Sequence, residues 1–117
     1  MRRAAYALGR LKTGEMNKSE AAYAQHLEIQ KQDGIILWYK FEGIKLRLAD
    51  NTFYTPDFAV MNAASEIELH EYKGFWEDDA RVKIKVAASL YPFKFVAITK
   101  AKRSGSGFGG GFEIEEF

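Results

Sequence analysis

The most constraining feature of this chain is a pair of apolar-to-charged rows separated by a short polar link. Residues Tyr54-Thr55-Pro56-Asp57-Phe58-Ala59-Val60-Met61 and Glu66-Ile67-Glu68-Leu69-His70-Glu71-Tyr72-Lys73-Gly74 flank Asn62-Ala63-Ala64-Ser65. Both flanks read as strands, and the link reads as their turn. Strand side chains alternate faces, so Ile67, Leu69, Glu71 and Lys73 share one face while Glu66, Glu68, His70 and Tyr72 share the other. The first row begins apolar and ends in a carboxylate and an ammonium. Charges that continue a core-facing row are costly unless paired or bound to a metal. With a three-residue turn, Asp57 and Glu71 are equally far from Ala64 and stand opposite one another. Opposed Cβ atoms lie roughly 4.5–5.5 Å apart. Two carboxylates that close repel, and a divalent cation removes the conflict. Two acidic oxygens, room for water and an adjacent lysine suit Mg²⁺. His70 faces away from Glu71 and is not assigned as a ligand.

The rest of the chain reads as one domain, residues 1–117, of α/β class. Its apolar fraction of 47% and aromatic fraction of 15% supply a core without staples. The absence of cysteine excludes disulfides, thiolate zinc sites and cysteine nucleophiles. No apolar run reaches the roughly 18 residues of a membrane span. The expectation is a cytoplasmic protein with no membrane partner.

Residues 1–16 read as a basic arm bearing Arg2, Arg3, Arg10 and Lys12. Asn17 to about Gln32 reads as a helix, with Asn17 as N-cap, Glu20 at the capping-box spacing and Asp33-Gly34 as the stop. Glu20 also continues the Tyr23-Ala24-Leu27 stripe, so it has two readings: a cap for its own helix, or a third acid aimed toward Asp57 and Glu71. His26 falls off the stripe and reads as a surface residue. Ile35–Phe41 is apolar on both faces, as in a buried strand. Trp38, Tyr39 and Phe41 on it suit either base stacking or packing. Ile44–Leu48 reads as a second strand, and Ala49–Thr52 as a turn. Pro56 cannot donate to a ladder and marks a place where the sheet opens. Phe75 and Trp76 suit either stacking or closure of the core. Glu77–Leu90 reads as a helix ended before Pro92. It carries two apolar rows, Val82/Val86/Leu90 and Ile84/Ala87/Ala88/Tyr91, and basic residues Arg81, Lys83 and Lys85. Phe93–Thr99 reads as a strand, residues 101–111 as a Gly/Ser-rich loop, and 112–117 as an edge strand or tail. The net charge of +1 does not announce a nucleic-acid partner, but the local basic clusters suit a phosphate backbone.

Pro56-Asp57 and Glu71-Tyr72-Lys73, within this helix and strand order, resemble the PD-(D/E)XK nuclease superfamily over roughly residues 17–99. The resemblance implies an αβββαβ restriction-endonuclease-like core, a mixed sheet flanked by helices. Residues 17–24, 54–58 and 70–76 are also similar to a small phage-encoded family that resembles phage endonuclease I, a Holliday junction resolvase. That similarity implies a homodimeric, Mg²⁺-dependent endonuclease acting on branched DNA, with Mn²⁺ as a substitute, in the host cytoplasm if phage-encoded. It implies Asp57, Glu71 and the Tyr72 carbonyl as metal ligands, and Lys73 as the residue that orients or activates the attacking water. It implies Glu20 as a helix acid near a second metal or a ligand water. Arg2, Arg3, Arg10, Lys12, Lys18, Arg81, Lys83 and Lys85 are the candidate DNA contacts. The alternatives are a nicking, single-strand or end-processing nuclease within a larger complex, and a non-catalytic DNA-binding module on the same fold.

Overall fold

The computed structural model describes residues 14–73, 78–101 and 111–117. Arg2, Arg3, Arg10, Lys12, Phe75, Trp76 and most of the Gly/Ser-rich loop lie outside these described residues.

The first helix, α1, spans Lys18–Gln32. Its start is the capping box expected from the sequence. Glu20 N donates to Asn17 Oδ1 at 2.8 Å, and Asn17 N donates to Glu20 Oε1 at 2.9 Å. Its end is a Schellman motif: Gly34 N donates to the Lys31 carbonyl and Ile35 N to the Gln30 carbonyl. Gly34 holds φ at +80°, which a residue with a Cβ rarely adopts. Tyr23 and Leu27 bury the inward stripe.

Five strands form the main sheet: β1 (Ile36–Phe41), β4 (Phe58–Asn62), β5 (Ile67–Tyr72), β6 (Lys94–Lys100) and β7 (Phe112–Glu116), in that spatial order. A separate two-stranded hairpin joins β2 (Leu46–Ala49) to β3 (Thr52–Tyr54). The second helix, α2 (Asp78–Leu90), carries the chain from β5 to β6, which pair in parallel; the other main-sheet pairs are antiparallel. With the hairpin set aside, the order is α, three strands, α, then two strands, a mixed α/β fold.

The β4–β5 register pairs Phe58 with His70, Val60 with Glu68 and Met61 with Ile67. This is the register symmetric about Ala64. The turn is held by Asn62, whose Oδ1 accepts from Ala64 N and Glu66 N, and Ser65 takes a left-handed φ of +67°.

Tyr23 and Leu27 of α1 pack on one sheet face, against Phe58, Val60, Val96 and Ile98. On the other face, Ile84 and Ala87 of α2 and Leu46 and Tyr54 of the hairpin pack against Ala59, Leu69 and Phe95. Both faces of the central strands are therefore covered. Among the described residues no helix is long and apolar enough to cross a membrane.

Three expectations need correction, and the choice between the two apolar rows of α2 is decided. The Tyr54–Met61 stretch is two strands, broken at Thr55–Asp57, because Pro56 cannot continue a ladder. β1 is an edge strand, not a central one. Ile36 is buried beneath α1, but the register slips between Ile36 and Trp38, leaving Leu37 unpaired in the ladder, and both Leu37 and Trp38 are exposed. Of the two apolar rows on α2, Ile84 and Ala87 pack inward while Val82, Val86 and Leu90 face solvent. His26 is half-buried, because β7 brings Phe112 back over α1 with its ring centroid 5.0 Å from the imidazole.

Candidate active site

Asp57 follows the buried Pro56, where the chain leaves the small hairpin and enters β4. Glu71 lies near the end of β5. Asp57 N donates to Glu71 Oε1 at 3.2 Å, and Tyr72 N donates to Asp57 Oδ2 at 2.8 Å. Lys73 Nζ lies 3.2 Å from Glu71 Oε2. Asp57, Glu71 and Lys73, singled out from the sequence, thus meet at one point.

Tyr54 was not singled out, and it belongs here. Its hydroxyl donates to Glu71 Oε1 at 2.8 Å. Its position as the last residue of the hairpin was the available signal, but only the break at Pro56 turns its ring toward Glu71. Burial, together with the Glu71 charge, raises the Tyr54 hydroxyl pKa and keeps it a donor.

The electrostatics are unbalanced. Glu71 is only 8% exposed, yet its carboxylate takes donors on both oxygens. Asp57 is less well served. Burial first, and the Glu71 charge second, push its carboxyl from the ordinary 3.8 up to about 8. The Tyr72 amide and Lys73 pull the other way and are outweighed. Among the described residues, Asp57 Oδ1 has no hydrogen-bond partner.

The Tyr72 carbonyl is also short of a donor in the sheet. Asn62 N donates to the Glu66 carbonyl, so the hydrogen-bonded pairs of this ladder recur every second residue: 62/66, 60/68 and 58/70. The next such step sets Pro56 against Tyr72, and proline has no N–H to give. The Tyr72 amide turns instead to the Asp57 side chain. Pro56 thus opens the sheet beside Asp57.

Two crowded carboxylates, one with a free oxygen, and a strand carbonyl without its ladder donor form a donor set suited to a hard divalent cation. No group of three or more acids or histidines converges on a ready-made metal cluster among the described residues. What the chain could offer such a cation is Asp57, Glu71 and the Tyr72 carbonyl, leaving the other positions to water or substrate oxygens. This is the pattern that suits Mg²⁺, which keeps several waters.

Glu20 is bound in its own capping box, on the α1 side of the sheet. Its charge still reaches Asp57 and helps raise that carboxyl's pKa. Among the basic candidates, Lys18 is exposed at the start of α1. Arg81 forms a two-pronged pair with Glu115 of β7, at 2.8 and 3.1 Å. Lys83 lines a groove of about 470 Å³ between the hairpin and α2, with Phe53, Tyr54, Glu71 and Lys73. Lys85 is exposed on another side of α2, since two helical steps turn it about 200° from Lys83.

A second polar cluster lies on the α1 side of β5. Tyr23 Oη is 2.6 Å from His70 Nδ1, and His70 Nε2 is 3.0 Å from Glu68 Oε1. Asn62 Nδ2 donates to Glu68 Oε2 at 2.9 Å. As the alternation of faces predicts, His70 plays no part in the Asp57–Glu71 site.

No family model, no curated protein and no solved structure matches this chain.

Proposed function

We propose that this protein is a Mg²⁺-dependent DNA endonuclease that hydrolyses phosphodiester bonds in branched DNA. The observation that carries the reading is the convergence of Asp57, Glu71 and Lys73 where Pro56 interrupts the sheet. Asp57 and Glu71 would hold the cation, with the Tyr72 carbonyl as a further oxygen donor. When bound, a divalent cation neutralises charge at the phosphate and makes a bound water more acidic. Lys73 orients the attacking water and adds positive charge beside the phosphoryl oxygens. The Glu71 carboxylate holds the Lys73 ammonium in place, and the Tyr54 hydroxyl fixes the Glu71 carboxylate. For Glu20 to act as a further acid, its cap must open; its charge acts on Asp57 without that change.

The proposed active unit is a homodimer in the cytoplasm, since two symmetric cuts across a branch need two sites related by a twofold axis. Recognition of a branch by its shape runs through backbone contacts rather than base readout. Of the cations expected to contact DNA, Lys18, Lys83 and Lys85 are exposed among the described residues.

The test is cleavage of a four-way junction, a flap, single-stranded DNA and linear duplex in Mg²⁺ and Mn²⁺. The expected result is metal-dependent cutting with junction preference, abolished in Asp57→Ala and Lys73→Ala. Variants that cut as well as the parent would overturn the site. Cutting without junction preference would point to a nicking, single-strand or end-processing enzyme. Metal-independent binding with no cutting would leave a DNA-binding module.

A further inference from the structure

The groove beside Glu71 carries two features that metal binding does not use: Phe53 from the hairpin and Lys83 from α2. Phe53 stands on β3 and is 43% exposed. Lys83 stands on α2 and is exposed. Between them the groove has a volume of about 470 Å³, with Glu71 and Lys73 in its lining. That volume is of small-molecule scale. A single nucleotide is a ligand of that scale, and a paired duplex is not.

An exposed phenylalanine is a common surface feature, but this one is held in a telling way. Lys45 Nζ lies 4.5 Å from the centroid of the Phe53 ring. A surface contact between a cation and a ring is weaker than the stacking of a base on an aromatic ring. Lys45 is not among the residues that line the groove, so its ammonium covers the ring from outside and does not occupy the groove itself. The charges that line the groove are mixed: Glu71 and Asp79 against Lys73 and Lys83. Such a lining does not attract polyanions at large. It places one phosphate on the lysine side and leaves its base to the aromatic wall.

We infer that this groove is a subsite for one unpaired nucleotide adjoining the scissile phosphate, with Phe53 as the stacking platform and Lys83 as the phosphate contact. The inference rests on the nuclease reading and deepens it. The preferred substrate becomes DNA with an unstacked or unpaired nucleotide at the cut, such as a flap or an opened branch point. Paired duplex cannot seat a base in the groove without extruding it.

The test is equilibrium binding in Ca²⁺, by fluorescence anisotropy, of a flap and a fully paired duplex of equal length. The flap carries 2-aminopurine at its unpaired junction nucleotide, because stacking quenches its emission. The parent is expected to prefer the flap and to quench the probe. Phe53→Ala is expected to lose about tenfold in flap affinity and to lose the quench, with duplex binding unchanged. Phe53→Trp is expected to restore both, and Lys83→Ala to weaken flap binding while keeping the quench. The inference is overturned if the parent binds both DNAs equally, or if Phe53→Ala binds and quenches like the parent. Circular dichroism of each variant checks that it is folded. Cleavage of the same DNAs in Mg²⁺ separates the two readings. Cutting that ignores Phe53 removes the subsite and leaves the nuclease. Phe53-dependent binding with no cutting in Mg²⁺ or Mn²⁺ removes the nuclease and leaves the subsite.

Discussion

β5 carries Glu68 and His70 to one side of the sheet and Glu71 to the other, with Lys73 just past its end, so one strand builds two polar clusters. On the α1 side, Glu68 accepts from His70 and Asn62, and Tyr23 closes the chain on His70. With Glu68 ionised, His70 Nε2 must carry a hydrogen, and in the neutral ring Nδ1 then accepts from the Tyr23 hydroxyl. These partners, His70 foremost, hold the Glu68 carboxyl down at about 2. On the α2 side, Asp57 is pushed up to about 8. Both clusters are buried and both contain a tyrosine hydroxyl. The difference is that one satisfies its own charge, whereas the other sets two acids against one lysine. Burial therefore does not by itself mark the functional cluster. The uncompensated charge is what makes the α2-side cluster the candidate site.

The largest expected contrast is in catalysis. Lys73→Met and Asp57→Asn are expected to lower cleavage by about 10²- to 10⁴-fold, while Tyr23→Phe leaves it within about twofold of the parent; initial rates on a junction substrate decide this. Next in size is Tyr54→Phe, which frees Glu71 from its positioning hydroxyl. Losing such a partner typically costs about 10- to 100-fold in metal affinity, read by calorimetric titration with Mn²⁺.

The contrast then reverses for stability. His70→Ala leaves Tyr23 and Glu68 without their buried partner and is expected to cost about 1–3 kcal/mol in urea unfolding. Asp57→Asn removes a desolvated, repelled charge and is expected to be neutral or stabilising.

The two clusters also respond to pH with opposite signs. For Asp57, the folded carboxyl at about 8 lies above the ordinary 3.8, so the folded state binds more protons between them. Its contribution falls as pH rises through that window. For Glu68, the folded value of about 2 lies below the ordinary 4.5, so its contribution is present above 4.5 and is lost as pH falls toward 2. In chelator, Asp57→Asn should flatten the loss toward pH 8, and Glu68→Gln should flatten the loss below pH 4.5. Urea unfolding across pH would show both slopes unchanged if the comparison is wrong. The smallest effect belongs to the half-exposed Arg81–Glu115 pair, where Glu115→Gln should cost no more than about 1 kcal/mol in the same unfolding measurement.

What was legible in the sequence was local or symmetric. The capping box at Asn17 and Glu20 is read from spacing. The meeting of Asp57 and Glu71 follows from a hairpin centred on Ala64, because register fixes every pair once the turn length is known. What was not legible depends on residues far apart in the chain. Phe112 covers His26 from the opposite end of the sequence. Glu115 engages Arg81, a residue read only as a DNA contact. The hairpin's departure from the main sheet brings Tyr54 and Phe53 to the site, and strand propensity holds no trace of that turn away. The edge position of β1 was hidden for a related reason: an apolar strand reads alike whether a neighbour covers it or not.

The most direct test of the account is calorimetric titration of metal-free protein with Mn²⁺, alongside Asp57→Asn and Glu68→Gln. The account predicts that the parent and Glu68→Gln bind the ion and are stabilised by it against heat, while Asp57→Asn loses both responses. Binding that survives in Asp57→Asn, or no binding to the parent, would contradict the claim that this acid pair is built to hold a cation.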